Sequence, residues 1–174
     1  MLMATARGIL RSRCQTPGTL AEMLTHLNHQ LVDDTGDDRF MTMMLMTIDA
    51  TRREMRWATA GHDLPIVYDP ADDRIINLSG SGLALGLAKG IDYEEYGFSD
   101  VKPDQIYMAL TDGLFEAFNI DGEMFGKDRV RDMIRNSANL SAKEIAKRIN
   151  RELARFLGGR SSHDDLTFVI IKVL

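Results

Sequence analysis

Apolar positions at the start of the chain recur at helical spacing. Leu2, Ile9 and Leu10 fall on one side of a helix predicted over residues 1–14. A second series, Leu20, Met23, Leu24, Leu27 and Leu31, steps by three and four and predicts a second helix. Thr16 is its expected cap, with Pro17 in the first turn. The run DDTGDD, Asp33 to Asp38, reads as a turn. The period then shortens. RFMTMMLMTID predicts a buried strand ending near Asp49, and MRWATAG, Met55 to Gly61, a second. LPIVYDP and RIINLS predict two more short strands around the turn PADD, and the succession suggests an antiparallel meander. SGSGLALGLAKG reads as a glycine-rich loop, IDYEEYGF as a further strand and IYMAL, Ile106 to Leu110, as a strong one.

Helical spacing returns after Leu110. GLFEAFN predicts a short helical turn, and GKDRVRDMIRN a helix with Val130, Met133 and Ile134 inward. SAKEIAKRINRELARFLGG carries a complete helix grammar. Ser141 and Glu144 form a capping box, Ile145, Ile149, Leu153 and Phe156 make the apolar stripe, and Gly158 supplies the stop. LTFVIIKVL closes the chain as a buried strand. Strands bracketed by helices, without repeat or linker, predict a single α/β (α+β) domain over residues 1–174.

Composition narrows the function classes. The chain has 174 residues, 44% hydrophobic and 27% charged, an ordinary globular balance. A net charge of −5 gives no reason to expect a nucleic-acid partner, and the arginine clusters at Arg7, Arg11, Arg13 and at Arg52, Arg53, Arg56 read as solvated faces. The single cysteine, Cys14, excludes an intrachain disulfide and fits a reducing, cytoplasmic setting. No apolar run is long enough to span a membrane.

Two acidic spots share one geometry. Asp112 leaves the apolar strand IYMAL, and Asp164 and Asp165 precede the apolar strand LTFVIIKVL. Carboxylates at the ends of neighbouring strands can converge on one rim, and hard oxygen donors of that kind suit Mg²⁺ or Mn²⁺. Asp112 also reads as a plain N-cap, and Asp164 and Asp165 as turn residues. Other motifs carry less. His26 and His29, three apart on a helix, lack the glutamate of HExxH and read as a surface pair. GSGLALG lacks the GK[ST] ending of a phosphate loop. NIDGEMFGKD lacks the terminal glutamate of a calcium loop. Ser161, Ser162, His163 and Asp164 have the letters of a hydrolase triad but are adjacent, and triad members must meet side chain to side chain.

Taken in order, FMTMMLMTID, ATAGHDLP, LALGL, LTDGLFEAFNIDGEMFG and HDDLTFVIIKV resemble the metal-dependent type 2C protein serine/threonine phosphatases, in their bacterial SpoIIE/RsbU-like branch. The resemblance implies two packed antiparallel sheets, a β-sandwich flanked by helices, with a binuclear Mg²⁺ or Mn²⁺ site at one end. It implies that Asp112 and Asp164 are metal ligands, with Asp165 a second choice within the pair and Gly113 a supporting residue that lets the backbone turn beside the metal. No further catalytic side chain is assigned, and His62 of the AGH motif is expected to be structural. The implied reaction is hydrolysis of a phosphoserine or phosphothreonine ester by metal-held water.

The same resemblance places a further, bridging aspartate on a strand before the first helix, and the sequence opens at MLMATARGIL without it. The expectation is therefore the C-terminal portion of a phosphatase domain, incomplete at its N-terminus and feebly active alone. An uncovered sheet edge would invite a homodimer. Implied partners are a regulatory phosphoprotein, such as an anti-sigma-factor antagonist, and an upstream sensor or receiver domain. The alternatives are a degenerate phosphatase-fold module that binds a regulatory partner without turnover, and a small α/β domain with no metal.

Overall fold

The structure is a computed structural model that describes residues 2–35, 39–160 and 164–174. The Asp33–Asp38 turn falls partly outside the described residues, as do Ser161, Ser162 and His163. The chain forms two compact units, Met1–Leu64 with Ser79–Val101, and Pro65–Leu78 with Lys102–Leu174.

In the first unit, helices α1 (Leu2–Arg13) and α2 (Leu20–Thr35) accompany a three-stranded antiparallel sheet of order β1-β2-β5. Its strands are β1 (Met43–Asp49), β2 (Glu54–Ala60) and β5 (Tyr96–Phe98). Registers run from Met43 opposite Ala60 to Asp49 opposite Glu54, and from Met55 opposite Phe98 to Trp57 opposite Tyr96. Leu24, Leu27 and Leu31, one stripe of α2, are fully buried with Ala6, Ala58, Ala60 and Leu85. The start of α2 differs from the sequence expectation. Thr19, not Thr16, is the cap: its hydroxyl accepts from Glu22 N at 3.1 Å, and the Glu22 carboxylate accepts from Thr19 N at 2.9 Å. The reciprocal T-x-x-E box satisfies two helix-end donors, whereas Thr16 bonds back to Arg13 at the end of α1.

In the second unit, β3 (Ile66–Asp69), β4 (Arg74–Ile76), β6 (Ile106–Leu110) and β7 (Phe168–Lys172) form an antiparallel sheet of order β4-β3-β6-β7. It is accompanied by α3 (Asp112–Phe115), α4 (Lys127–Arg135) and α5 (Ala142–Leu157). The strands do not make the single meander expected. The chain leaves the first sheet after β2 and begins the second at β3, and β3 finds its other neighbour in β6. Local alternation cannot distinguish two hairpins in one sheet from two hairpins in two. Ile66, Tyr68, Ile106, Met108 and Leu110 form one core with Val130, Met133 and Ile134 of α4 and Ile145, Ile149, Leu153 and Leu157 of α5. Phe156 is partly buried at its margin. The Ser141–Glu144 capping box and the left-handed Gly158 (φ 59°) terminate α5 as expected.

One carboxylate lies inside this unit. Asp69 is fully buried and accepts from Gln105 Nε2 and from Ala71 N, each at 3.0 Å, with Lys102 Nζ at 3.5 Å. Burial pushes its carboxyl up, but these donors and the ammonium outweigh burial and hold it below its ordinary value. No helix among the described residues is long and apolar enough to cross a membrane.

Candidate metal centre

The central strand β6 delivers Asp112. Its five residues lie between β3 and β7 with only Ala109 partly exposed, so its end is a fixed point. Leu110 pairs with Phe168, and one step beyond this register Thr111 N donates to Thr167 O at 3.0 Å. The Thr111 hydroxyl accepts from Thr167 N at 3.2 Å and lies 3.4 Å from Asp165 O, to which it can donate. Threonine thus continues the β6–β7 pairing past the strands. That pairing sets Asp112 beside Asp164 and Asp165 at one rim of the sheet.

Gly113 sets how close the two segments come. A Cβ at this position would lie 2.6 Å from Asp165 O and 3.6 Å from Asp164 Cβ. Only a residue without a side chain allows α3 to start against that backbone. Gly113 N donates to Asp112 Oδ1 at 3.0 Å, and Asp165 N donates to Asp164 Oδ1 at 2.8 Å, local bonds that orient both carboxylates. All three aspartates are exposed, whereas Gly113, Leu114 and Phe115 are buried. Asp112 opens α3 with Thr111 at the cap position, and no side-chain cap bond is made there. The rim therefore holds carboxylates without employing them as helix caps. The donor set is all hard oxygen, which fits Mg²⁺ or Mn²⁺. Among the described residues, no three His, Cys, Asp or Glu side chains are gathered closely enough to hold an ion by themselves.

The remaining motif residues have other tasks. In the AGH turn, Gly61 (φ 73°) packs against Ala84, with a hypothetical Cβ 3.2 Å from Ala84 N. The Thr59 hydroxyl donates to His62 O at 2.7 Å and accepts from His62 N at 3.2 Å, and His62 Nδ1 lies 3.2 Å from Thr42 Oγ1. His62 serves here as a turn residue. The LALGL loop is clasped by buried Asn28 of α2, which accepts from Gly86 N at 2.9 Å and donates to Ala88 O at 3.0 Å. His26 and His29 are exposed on α2. NIDGEMFGKD, rejected as a calcium loop, is a hairpin organised by Asn119, whose Oδ1 accepts from Asp121 N at 3.0 Å and Glu123 N at 2.8 Å. The sequence reading missed Thr111 and Asn119. An asparagine followed by an acid-glycine pair between Phe118 and Met124 was the available turn signal.

The fold is α+β, with antiparallel sheets, helices and a carboxylate rim at the end of a central strand, and it is that of type 2C phosphatase domains. The SiaA-PP2C domain of Pseudomonas aeruginosa superposes with a TM-score of 0.84 at 23% identity, over 98% of this chain and 68% of that one. A structure of RsbX in complex with magnesium superposes with a TM-score of 0.66 at 17% identity, over 97% and 71%. The chain belongs to the family described as stage II sporulation protein E (SpoIIE), whose model matches residues 1–174. It is similar to phosphoserine phosphatase RsbU of Bacillus subtilis (strain 168), 26% identical over 152 residues, 87% of this chain and 44% of that protein. The chain thus spans less than half the length of that curated relative.

Proposed function

We propose that residues 1–174 belong to a phosphatase domain of the SpoIIE family that hydrolyses phosphoserine or phosphothreonine on a regulatory phosphoprotein with Mg²⁺ or Mn²⁺. The observation that carries this is the approach of Gly113 to Asp165, which sets Asp112, Asp164 and Asp165 on one rim with their carboxylates outward. The magnesium in the RsbX complex and the phosphoserine phosphatase relative support the same chemistry. Asp112 and Asp164 would hold the metal, with Asp165 in support. When bound, such an ion lowers the pKa of its water and neutralises phosphoryl charge. The chain's own contribution is placement: β6 and β7 fix the two carboxylate segments, and Gly113 lets them meet. The proposed setting is cytoplasmic, downstream of a sensor domain, with an anti-sigma-factor antagonist as the kind of substrate.

The test is direct. Mn²⁺ binding by calorimetry and Mn²⁺-dependent release of phosphate from a phosphoserine peptide are measured for the wild type, Asp112→Asn and Asp164→Asn. Both variants lose metal affinity and turnover if the reading is right. Binding that survives both substitutions overturns it. The second reading is a module that holds a phosphoprotein without turning it over. It is favoured by the absence, among the described residues, of a closed three-ligand cluster. Phosphopeptide binding with no hydrolysis at saturating Mn²⁺ would select it.

A further inference from the structure

The hairpin that follows α3 exposes more apolar surface than its own packing requires. Phe118 is 44% exposed, Ile120 61% and Met124 50%. Phe118 and Met124 bridge directly across the hairpin, so their side chains share a face. The hairpin is held rigid. Asn119 N donates to Glu123 O at 3.0 Å, the Asn119 side chain accepts from two backbone donors, and Gly122 N donates to Asn119 O at 3.2 Å. Its base is tied to the aspartate-bearing helix: Phe125 N donates to Ala117 O and Gly126 N to Phe115 O, both at 2.8 Å. A preorganised apolar patch, one helical turn from Asp112, is a surface for contact.

Two guanidinium groups flank it. Arg129 lies over Phe156 at 4.5 Å from the ring centroid and over Phe125 at 5.2 Å. Arg160 donates to Asn119 O at 3.4 Å. Among the described residues neither arginine sits in a salt bridge, while neighbouring Arg131 and Arg155 each pair with a carboxylate. Arginines held by rings and a carbonyl keep their charge available to an anion.

We infer that the Ala117–Gly126 hairpin, with Arg129 and Arg160, is the docking element for the phosphoprotein substrate. It takes a segment in which apolar side chains neighbour the phosphorylated residue. The inference rests on the phosphatase reading for its biological sense, but its contact chemistry is tested separately. Continuity with the carboxylate rim and the flanking positive charge select a phosphorylated segment over a second copy of this chain.

The experiment is fluorescence anisotropy with three labelled peptides: a phosphoserine peptide with leucine and isoleucine neighbours, the same peptide without phosphate, and a phosphoserine peptide with serines for those neighbours. The variants are Ile120→Ser with Met124→Ser, and Arg129→Gln, all at exposed positions, with circular dichroism to check folding. The hairpin variant is expected to weaken the apolar phosphopeptide about tenfold or more, the weight of one well-buried apolar side chain. Arg129→Gln is expected to weaken the phosphorylated peptides and leave the unphosphorylated one unchanged. Wild-type affinity in the hairpin variant, or no wild-type preference for apolar neighbours, overturns the inference. A hairpin variant that changes sedimentation instead of peptide binding also overturns it and makes a second copy the occupant. Hydrolysis of p-nitrophenyl phosphate by the wild type, with Asp112→Asn as blank, reports on the phosphatase reading alone. Its absence would sink that reading without altering what the peptides decide.

Discussion

Gly113→Ala tests the architecture of the rim. The added Cβ would stand 2.6 Å from Asp165 O and 3.3 Å from its carbon. Carbon–oxygen contacts in proteins settle at about 3.3–3.6 Å, so one backbone must retreat by roughly 0.7 Å. The obstacle is main chain, held by the Thr111–Thr167 bonds, and cannot rotate aside as a flexible side chain would. Overpacking of this kind costs about 1–3 kcal/mol. Alanine returns up to about 1 kcal/mol of helix propensity, little of it in a helix of one turn. A net loss near 2 kcal/mol should lower Tm by about 4–8 °C in a chain of this size. Gly8→Ala is the control, because Gly8 lies in α1 with nothing within 4 Å of its hypothetical Cβ. It should hold or raise stability by up to about 1 kcal/mol. Thermal unfolding of both variants, followed by Mn²⁺ calorimetry on the folded proteins, gives the answer. If Gly113→Ala matches Gly8→Ala in stability and the wild type in Mn²⁺ affinity, the two carboxylate segments do not approach as described.

Three more outcomes can be measured. Asp112→Asn should leave stability within about 0.5 kcal/mol of the wild type, since the carboxylate is exposed and the amide oxygen can still accept from Gly113 N; a loss above about 1 kcal/mol in urea unfolding would mark Asp112 as a structural cap instead. Asp69→Ala should cost about 3 kcal/mol, the low end for a broken buried pair because Lys102 is partly exposed. Because the folded pKa of Asp69 is lowered, its stabilisation is present above the ordinary value of 3.8 and is lost as pH falls through the folded value, so urea midpoints of wild type and Asp69→Ala should converge in acid. Glu144 is held below its ordinary value by hydrogen bonds from the Ser141 hydroxyl and backbone N–H, so its contribution too is present near neutrality and lost in acid. Ser141→Ala should cost about 1 kcal/mol near neutrality and less near pH 3, read from urea midpoints at both.

What the sequence made legible was local. The α5 helix could be read whole because Ser141, Glu144, its apolar stripe and Gly158 all lie within one short stretch and act on one another. Two threonines stood before α2, and the glutamate three residues after Thr19 was the signal that decides between them. The division into two sheets was implied by the family resemblance but not by the local pattern of the strands. The pairing of β3 with β6, and of β5 with β2, joins segments far apart in the chain, and alternation within a strand does not name its partner. Asp112 and Asp164 could be found as acids at the ends of apolar runs. The reason Gly113 must be glycine could not, since it lies in the carbonyl of a residue on the following strand's approach.

The two kinds of aspartate in the second unit are held differently, which is why the rim, and not the buried network, is the proposed place for chemistry. Asp69 is enclosed, bonded by Gln105 and Ala71 and matched by Lys102. Its charge is already answered by the fold, and a ligand would have to break that network to reach it. Asp112, Asp164 and Asp165 are exposed, and the bonds that Asp112 accepts from Gly113 N and Asp164 accepts from Asp165 N are local and aim these carboxylates without enclosing them. The contacts that hold the rim together belong to other groups: the β6–β7 ladder, the Thr111 hydroxyl and the bare α-carbon of Gly113. Like charges brought to one exposed rim repel one another, and we propose that a cation from outside favours their presence there.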